Sequence, residues 1–419
     1  MTKILKGLVT GLLLFLLLSC SREPATEKTV DHSATKKWHV TIQLPEIALP
    51  VLMHLEPDGS GAWFENAVEH VQVPDVRATD QGWILRFPAF NNTITLNRTQ
   101  QGFEGQLTLV KRGYEQTMPL IAIPDKGYRF LPDPEPQADF TGRWEVGFIE
   151  KDGTVGQAVG EFDQQGSRVS GTFLTPTGDY RFLAGDAHGD TLLLSTFDGA
   201  HAFVFKAVML EDGSLKGDFW SGTKWHQPWT AERNYEAQLP DAYTLTYLKE
   251  GYERLEFQFP DLSGQPVSLL DDKYQGKVVL VSLAGSWCPN CADEMEFLSG
   301  VYQQYRDQGL EIICLLYEHF EDFELAAAQG VALEEKHDID FDILVAGTSD
   351  KTKAAETLPM LNQVLAFPTL IFIDRGGNVR GIHTGFAGPG TGRYFAEFKE
   401  KFTAELERLL AEDMPIAGP

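Results

Sequence analysis

Cysteine is scarce in this chain: four in 419 residues, at Cys20, Cys288, Cys291 and Cys314. A disulfide-stapled scaffold is excluded, because a chain of this length buries a core without staples. Positive charge is also short. Lysine and arginine number 35 against 60 aspartates and glutamates, a formal net charge of −25. Such a surface repels a phosphate backbone on average, so nucleic acid is not an expected partner. No apolar run after the first twenty residues is long enough to suggest a membrane-spanning helix. No second cysteine pair and no closely spaced histidine pair accompany Cys288 and Cys291. A four-ligand zinc site is therefore not expected, and no metal or cofactor is implied. What is present is ordinary globular composition, 43% hydrophobic and 23% charged. The length suggests two or three domains at roughly 150 residues each.

The N-terminus carries Lys3 and Lys6, then an apolar run from Leu8 to Leu18 broken only by Thr10 and Gly11. That run is shorter than the about 20 residues a spanning helix needs, and has the layout of a signal peptide. It ends in Leu17-Leu18-Ser19-Cys20, which resembles the lipobox of bacterial lipoproteins. The resemblance implies cleavage before Cys20, acylation of that cysteine and attachment to a membrane. Ser21 stands where an inner-membrane retention signal usually places Asp, which points to outer-membrane sorting. Cleavage would remove both signal lysines and take the net charge from −25 to −27. Residues 20–37 hold almost nothing to bury and read as a flexible tether.

From Trp38 to Arg233 the chain alternates apolar and polar residues in short runs separated by Gly, Asp and Asn. That pattern predicts antiparallel β structure, sandwich or barrel, in two modules at 38–132 and 139–236. The Pro-rich stretch Leu131 to Pro136 reads as the joint. The modules look like a duplication. Leu85 to Phe90, Ile94 to Leu96 and Gly102 to Gly105 parallel Leu193 to Phe197, Phe203 to Phe205 and Gly213 to Gly217, offset by about 110 residues. Asp179, His188, Asp190, Asp198 and His201 lack ligand spacing and read as solvated turn residues. Trp220, Trp225 and Trp229 read as core or barrel-end residues rather than a sugar- or peptide-binding face.

Beyond Leu255 strands and helices alternate, which predicts an α/β layered domain. Val278 to Ala284 is a continuous apolar run, expected for a strand buried on both faces. Cys288-Pro289-Asn290-Cys291 follows it and opens a helix. A cysteine at that junction lies beside unpaired N–H groups and the positive end of the helix dipole. Both favour thiolate, the form that attacks a disulfide. The second cysteine, one turn on, can resolve the mixed disulfide. Pro289 suits the first helical turn, where its missing N–H is no loss.

Trp287 with the Cys-x-x-Cys pair, and Phe367-Pro368-Thr369 downstream, resemble the thioredoxin fold. They are closer still to the TlpA/ResA-type thiol–disulfide oxidoreductases of bacterial envelopes, over roughly 255 to 411. The resemblance implies Cys288 as attacking thiol and Cys291 as resolving thiol. It implies a cis-proline at Pro368, with Trp287 and the Phe367 backbone meeting the substrate. Thioredoxin keeps a buried acid where this chain has Ser282. The TlpA/ResA type places an acid where this chain has Glu294, which would accept the proton of Cys291. Glu296 replaces a helix-kinking proline common in that family, which puts the local helix geometry in question. Cys314 reads as a buried packing residue and His319 as a surface histidine. Gly385 to Gly392 reads as a turn into the last helix, because it lacks the Lys-Ser/Thr ending of a phosphate loop.

The expected architecture is multidomain, two β-rich modules followed by a thioredoxin-like domain. The expected function is disulfide reduction in the cell envelope, facing the periplasm. Its partners would be disulfide-containing protein substrates and a thiol electron donor. Two rivals stay open: a peroxiredoxin-like peroxidase, and a non-enzymatic binding or assembly lipoprotein.

Overall fold

The structure is a computed structural model that describes residues 36–413. Cys20, Ser21 and most of the proposed tether lie outside the described residues. Among the described residues no helix is long and apolar enough to cross a membrane.

The first module is a nine-stranded antiparallel meander. Its first strand, Lys36–Gln43, pairs with its last, Tyr114–Pro124, placing Val40 opposite Ala122. Period-two patterning drives this arrangement. Along Tyr114–Pro124 the buried positions are Gln116, Met118, Leu120 and Ala122, while Glu115, Thr117, Pro119 and Ile121 face out. The sheet stays open, because its edge strands Glu69–Gln72 and Asp75–Ala78 do not pair with each other.

The second module repeats the meander and closes it. Gly142–Ile149 pairs with Trp225–Arg233, and Val155–Gln165 joins Arg168–Thr175, giving an eight-stranded barrel. The two-residue strand Gly178–Asp179 extends from it as a hairpin. The segments that parallel each other in sequence occupy the same ordinal strands. Gly82–Phe87 and Thr191–Phe197 are sixth, Asn92–Arg98 and Ala202–Met209 seventh, Phe103–Lys111 and Leu215–Ser221 eighth.

Closure decides where each core lies. The barrel fills itself with Phe148, Phe173, Phe205, Phe219 and Trp229. The open sheet instead completes its core with Phe197, Ala200, Ala202 and Val204 borrowed from the barrel. Only one of the three tryptophans follows the core expectation. Trp229 is buried, whereas Trp225 is 41% exposed. Trp220 lies outside the barrel, stacked on His226, its indole N–H donating to Glu46 of the first module. Trp225 and Trp229 lie four residues apart on the same face of Trp225–Arg233; Trp229 sits within the barrel core, while Trp225 opens the strand, its indole N–H donating to Gln227.

The C-terminal domain is thioredoxin-like. Its five-stranded sheet runs Asp342–Thr348, Leu310–Glu318, Val278–Ala284, Thr369–Ile373, Val379–Thr384. The central strand is parallel to Leu310–Glu318 and antiparallel to Thr369–Ile373, and all seven of its residues are buried. Four helices accompany the sheet: α1 (Pro289–Tyr305), α2 (Phe323–His337), α3 (Lys351–Thr357) and α4 (Arg393–Ala411). Helix α3 stops well short of Val364, because Pro359 bars its predecessor from helical geometry. Residues 242–250, outside every predicted module, belong with this domain. The carbonyls of Ala242 and Tyr247 accept from Thr384 and Asn362, and Lys249 N–H donates to Met360.

Candidate active site

The paired cysteines sit where the central strand gives way to α1. Cys288 is the N-cap residue and Pro289 the first helical residue, so the turn ends with unpaired N–H groups near the first sulfur. Helix α1 continues unbroken through Glu296, which is exposed, so the absent proline leaves a straight seventeen-residue helix. Cys288 is only 9% exposed, and its Sγ donates to the Phe367 carbonyl at 3.4 Å. The Phe367–Pro368 peptide is cis, which brings that carbonyl to face the thiol.

Trp287 forms one wall. Its indole N–H donates to the Tyr317 carbonyl at 2.8 Å, and its ring stacks on His319 at 4.8 Å and meets Phe367 edge-on at 5.8 Å. Gly285 makes room for this, since a Cβ there would stand 2.2 Å from the indole nitrogen. His319 is therefore not a free surface histidine. Burial, with Lys111 and Arg112 nearby, pushes it down to about 4, so the stacked ring is neutral at physiological pH.

Beneath the turn lies a sealed polar floor. Cys291 is fully buried, and burial first, then the hydrogen bond and charge of Cys288, raises its thiol well above the usual range. Glu294 is fully buried one turn further along α1. Burial pushes its carboxyl up to about 8 against the opposing effect of the Ser282 hydroxyl, which donates to Oε2 at 2.5 Å. The other oxygen, Oε1, has no hydrogen-bond partner. A carboxyl tuned this way can exchange a proton with a neighbouring thiol near neutral pH.

Sequence reasoning missed two members of this floor. Ser282 reads in the sequence only as a missing acid, yet it is the partner of Glu294. A lone serine in the run Val278–Ala284 is a usable signal, since a buried hydroxyl needs a partner. Glu318 closes strand Leu310–Glu318, accepts the Ser286 N–H at 2.8 Å and is pushed up by burial to about 7. Nothing in its local spacing points to Ser286. Cys314, on the same strand, is fully buried, and burial raises its thiol.

The β modules also reach the turn, which no local motif announced. The barrel hairpin sits against the dipeptide between the cysteines. Asn290 donates to the Asp179 carbonyl at 3.1 Å, and Arg181 donates to the Pro289 carbonyl at 3.3 Å and pairs with Asp293. Arg181 also pairs with Glu69 of the first module, tying all three modules together. The Asp179 carboxylate accepts the Gly388 N–H at 2.7 Å, and burial pushes it up to about 6. Asp198 is buried, accepting the backbone N–H groups of Ala200 and His201 and meeting the His201 ring at 3.0 Å. The expectation that Asp179 and Asp198 are solvated is thus corrected: Asp198 is buried and Asp179 half-buried where the modules dock.

Fold and turn together define the class, a thioredoxin-like domain carrying a Cys-Pro-Asn-Cys pair at a strand-to-helix turn. Comparison with known proteins agrees. Residues 251–382 match the AhpC/TSA family model. A thiol-disulfide oxidoreductase ResA of Bacillus cereus is 32% identical over 130 residues, 31% of this chain and 66% of that one, just under two thirds of its length. The thioredoxin-like protein YneN of Bacillus subtilis (strain 168) is 28% identical over 138 residues, 33% of this chain and 73% of that one. A solved structure of a thiol:disulfide interchange protein of the thioredoxin family from Chlorobium tepidum TLS is 18% identical. It covers 39% of this chain and 99% of that one, with a TM-score of 0.30. The β modules lie outside the family match.

Proposed function

We propose that this chain is a cell-envelope thiol–disulfide oxidoreductase acting as a disulfide reductase, anchored through acyl chains on Cys20. The observation that carries the reading is the buried Glu294 beside Cys291, with Oε1 unpartnered and a carboxyl poised near 8. In the proposed cycle the Cys288 thiolate attacks one sulfur of a substrate disulfide. That S–S bond breaks, and the other substrate sulfur leaves as thiolate. Ionised Glu294, the minor form at neutral pH for a carboxyl poised near 8, takes the proton of Cys291, which attacks the Cys288 sulfur and releases the second substrate thiolate. The substrate gains two electrons, and the Cys288–Cys291 disulfide returns to dithiol at the expense of an envelope thiol donor. Trp287 and the Phe367 carbonyl flank the attacked sulfur, and the cis arrangement at Pro368 keeps that carbonyl at the thiol.

The match to the AhpC/TSA family keeps a peroxidase as the second reading. Against it, the nucleophile has a resolving thiol one turn away, which suits exchange. The deciding experiment is redox equilibration of residues 21–419 with glutathione, together with a peroxide-consumption assay. A potential well below about −200 mV with no peroxide turnover is expected; a potential of about −180 mV or higher would overturn the reductase direction. Peroxide consumption dependent on Cys288 alone would replace the reading.

A further inference from the structure

A second hairpin, from the first module, reaches the other side of the turn. Lys111 ends strand Phe103–Lys111, and Tyr114 begins the next, so the tip is Lys111 to Tyr114. The Lys111 ammonium is half-buried and donates to the Ala200 carbonyl at 3.1 Å. Arg112 pairs with Asp350 at 2.5 Å, pinning the tip to the residue that caps α3. Lys351, the first residue of that helix, is exposed. His319, stacked on Trp287, is held by the Ser349 hydroxyl at 2.8 Å, so the start of α3 is joined to the wall of the thiol site.

Charge is therefore distributed against the trend of the chain. The whole protein is strongly anionic, yet the side groups in electrostatic reach of Cys288 include the ammonium groups of Lys111 and Lys351. Among the described residues neither lysine forms an ion pair. Lys351 stands at the solvent edge, whereas Lys111, within the wall, meets the Asp198 carboxylate ahead of Cys288. The barrel hairpin rests on Asn290 and the first-module tip on the start of α3, and 9% of Cys288 stays exposed.

We propose that the dithiol selects disulfides whose flanking groups are anionic, and that Lys111 and Lys351 are the specificity residues. This rests on reading the dithiol as an exchange site. The carboxylates beside a substrate disulfide meet the two ammonium groups as its sulfur meets Cys288, and a cationic disulfide is repelled. The first module supplies Lys111, so the selective site is assembled only when that module is docked.

Two measurements on residues 21–419 test this. The first follows alkylation of Cys288 in a Cys291→Ser background by anionic iodoacetate and neutral iodoacetamide, with the same chain unfolded in urea as reference. The iodoacetate-to-iodoacetamide rate ratio is expected to exceed the reference by about two- to fivefold, the scale of one or two partly screened charges. Lys351→Glu, an exposed substitution, should bring the ratio to or below the reference. Lys111→Gln should lower it, and Lys111→Arg should retain it. The second compares reduction of anionic oxidised glutathione with cationic cystamine by the unmodified dithiol, where oxidised glutathione should be faster and Lys351→Glu should erase the difference. A reference-level ratio indifferent to Lys351→Glu, with both disulfides reduced equally, overturns the inference and leaves the exchange reading standing. A raised ratio with neither disulfide reduced overturns the exchange reading, and with it the assignment of substrate selectivity.

Discussion

The seam between the β modules and the floor of the thiol site both bury charged groups, and they treat them in opposite ways. At the seam Arg129 is buried, and each of its three guanidinium nitrogens has a partner. It donates to the Ser195 hydroxyl at 2.9 Å, the Ser195 and Glu65 carbonyls at 3.2 and 2.8 Å, and the Asn66 side chain at 3.2 Å. In the floor, Glu294 has one partner and an oxygen with none. An unpaired buried polar atom costs desolvation energy. Glu294 combines such an atom with a carboxyl poised near 8, the combination a proton-transfer group needs. Burial lowers Arg129 only to about 10, leaving it cationic at neutral pH, while it raises Glu294 to about 8, within reach of neutrality.

The largest effect that would break this contrast is at Arg129. Arg129→Ala removes all four of these hydrogen bonds, and is expected to cost about 3–5 kcal/mol in denaturant melts. Arg129→Lys should recover little, because a point ammonium cannot replace the fork. Loss of less than about 1 kcal/mol would show that the seam is not held by this group.

Glu294→Gln should act in the other direction on stability. The folded carboxyl holds its proton up to about 8, whereas an unfolded glutamate releases it near 4.3. The penalty therefore grows as pH rises between those values and is full above the folded one. The substitution should leave stability unchanged near pH 4 and raise it by on the order of a few kcal/mol at pH 8. Disulfide exchange should slow at the same time. Thermal melts across that pH range check the first effect and stopped-flow exchange the second; unchanged melts would mean that Glu294 is not held neutral.

Cys314 offers a third kind of burial, a thiol packed in a strand away from the turn. Cys314→Ala should cost about 1–2 kcal/mol by lost packing and leave the exchange rate unaltered. The smallest effect belongs to Ser282→Ala. Removing the hydroxyl that donates to the Glu294 carboxyl should change stability by about 1 kcal/mol and shift the carboxyl's titration further upward. Infrared detection of the protonated carboxyl would follow that shift, and an unmoved titration would show that burial alone sets it.

Much of this arrangement is legible in the residues in order. Alternation along Gly142–Ile149, with Trp144, Val146 and Phe148 buried, and the continuous apolar run Val278–Ala284 announce an exposed-face sheet and a doubly buried strand, because side-chain period follows directly from strand geometry. Cys288, Pro289 and Cys291 announce a helix start bearing two thiols for the same local reason. Helix α3 is shorter than its apolar residues suggest, because they continue after Pro359 has ended the backbone pattern. Trp225 and Trp229 share a face and differ by their place along the strand, one at its exposed start and the other within the core.

What the sequence by itself determined is local chemistry and periodicity: three modules, two meanders of parallel design, and a dithiol at a strand-to-helix turn. The tertiary structure decided what surrounds that dithiol. Asp179 and Arg181 reach the turn from the barrel, Lys111 from the open sheet, and Ser282 meets Glu294 across a strand and a helix. No local pattern encodes those meetings, because a solvated turn and a turn buried by docking have the same composition. The open sheet, with a core it cannot complete alone, must pack on the barrel, and that packing brings its lysine to the thiol.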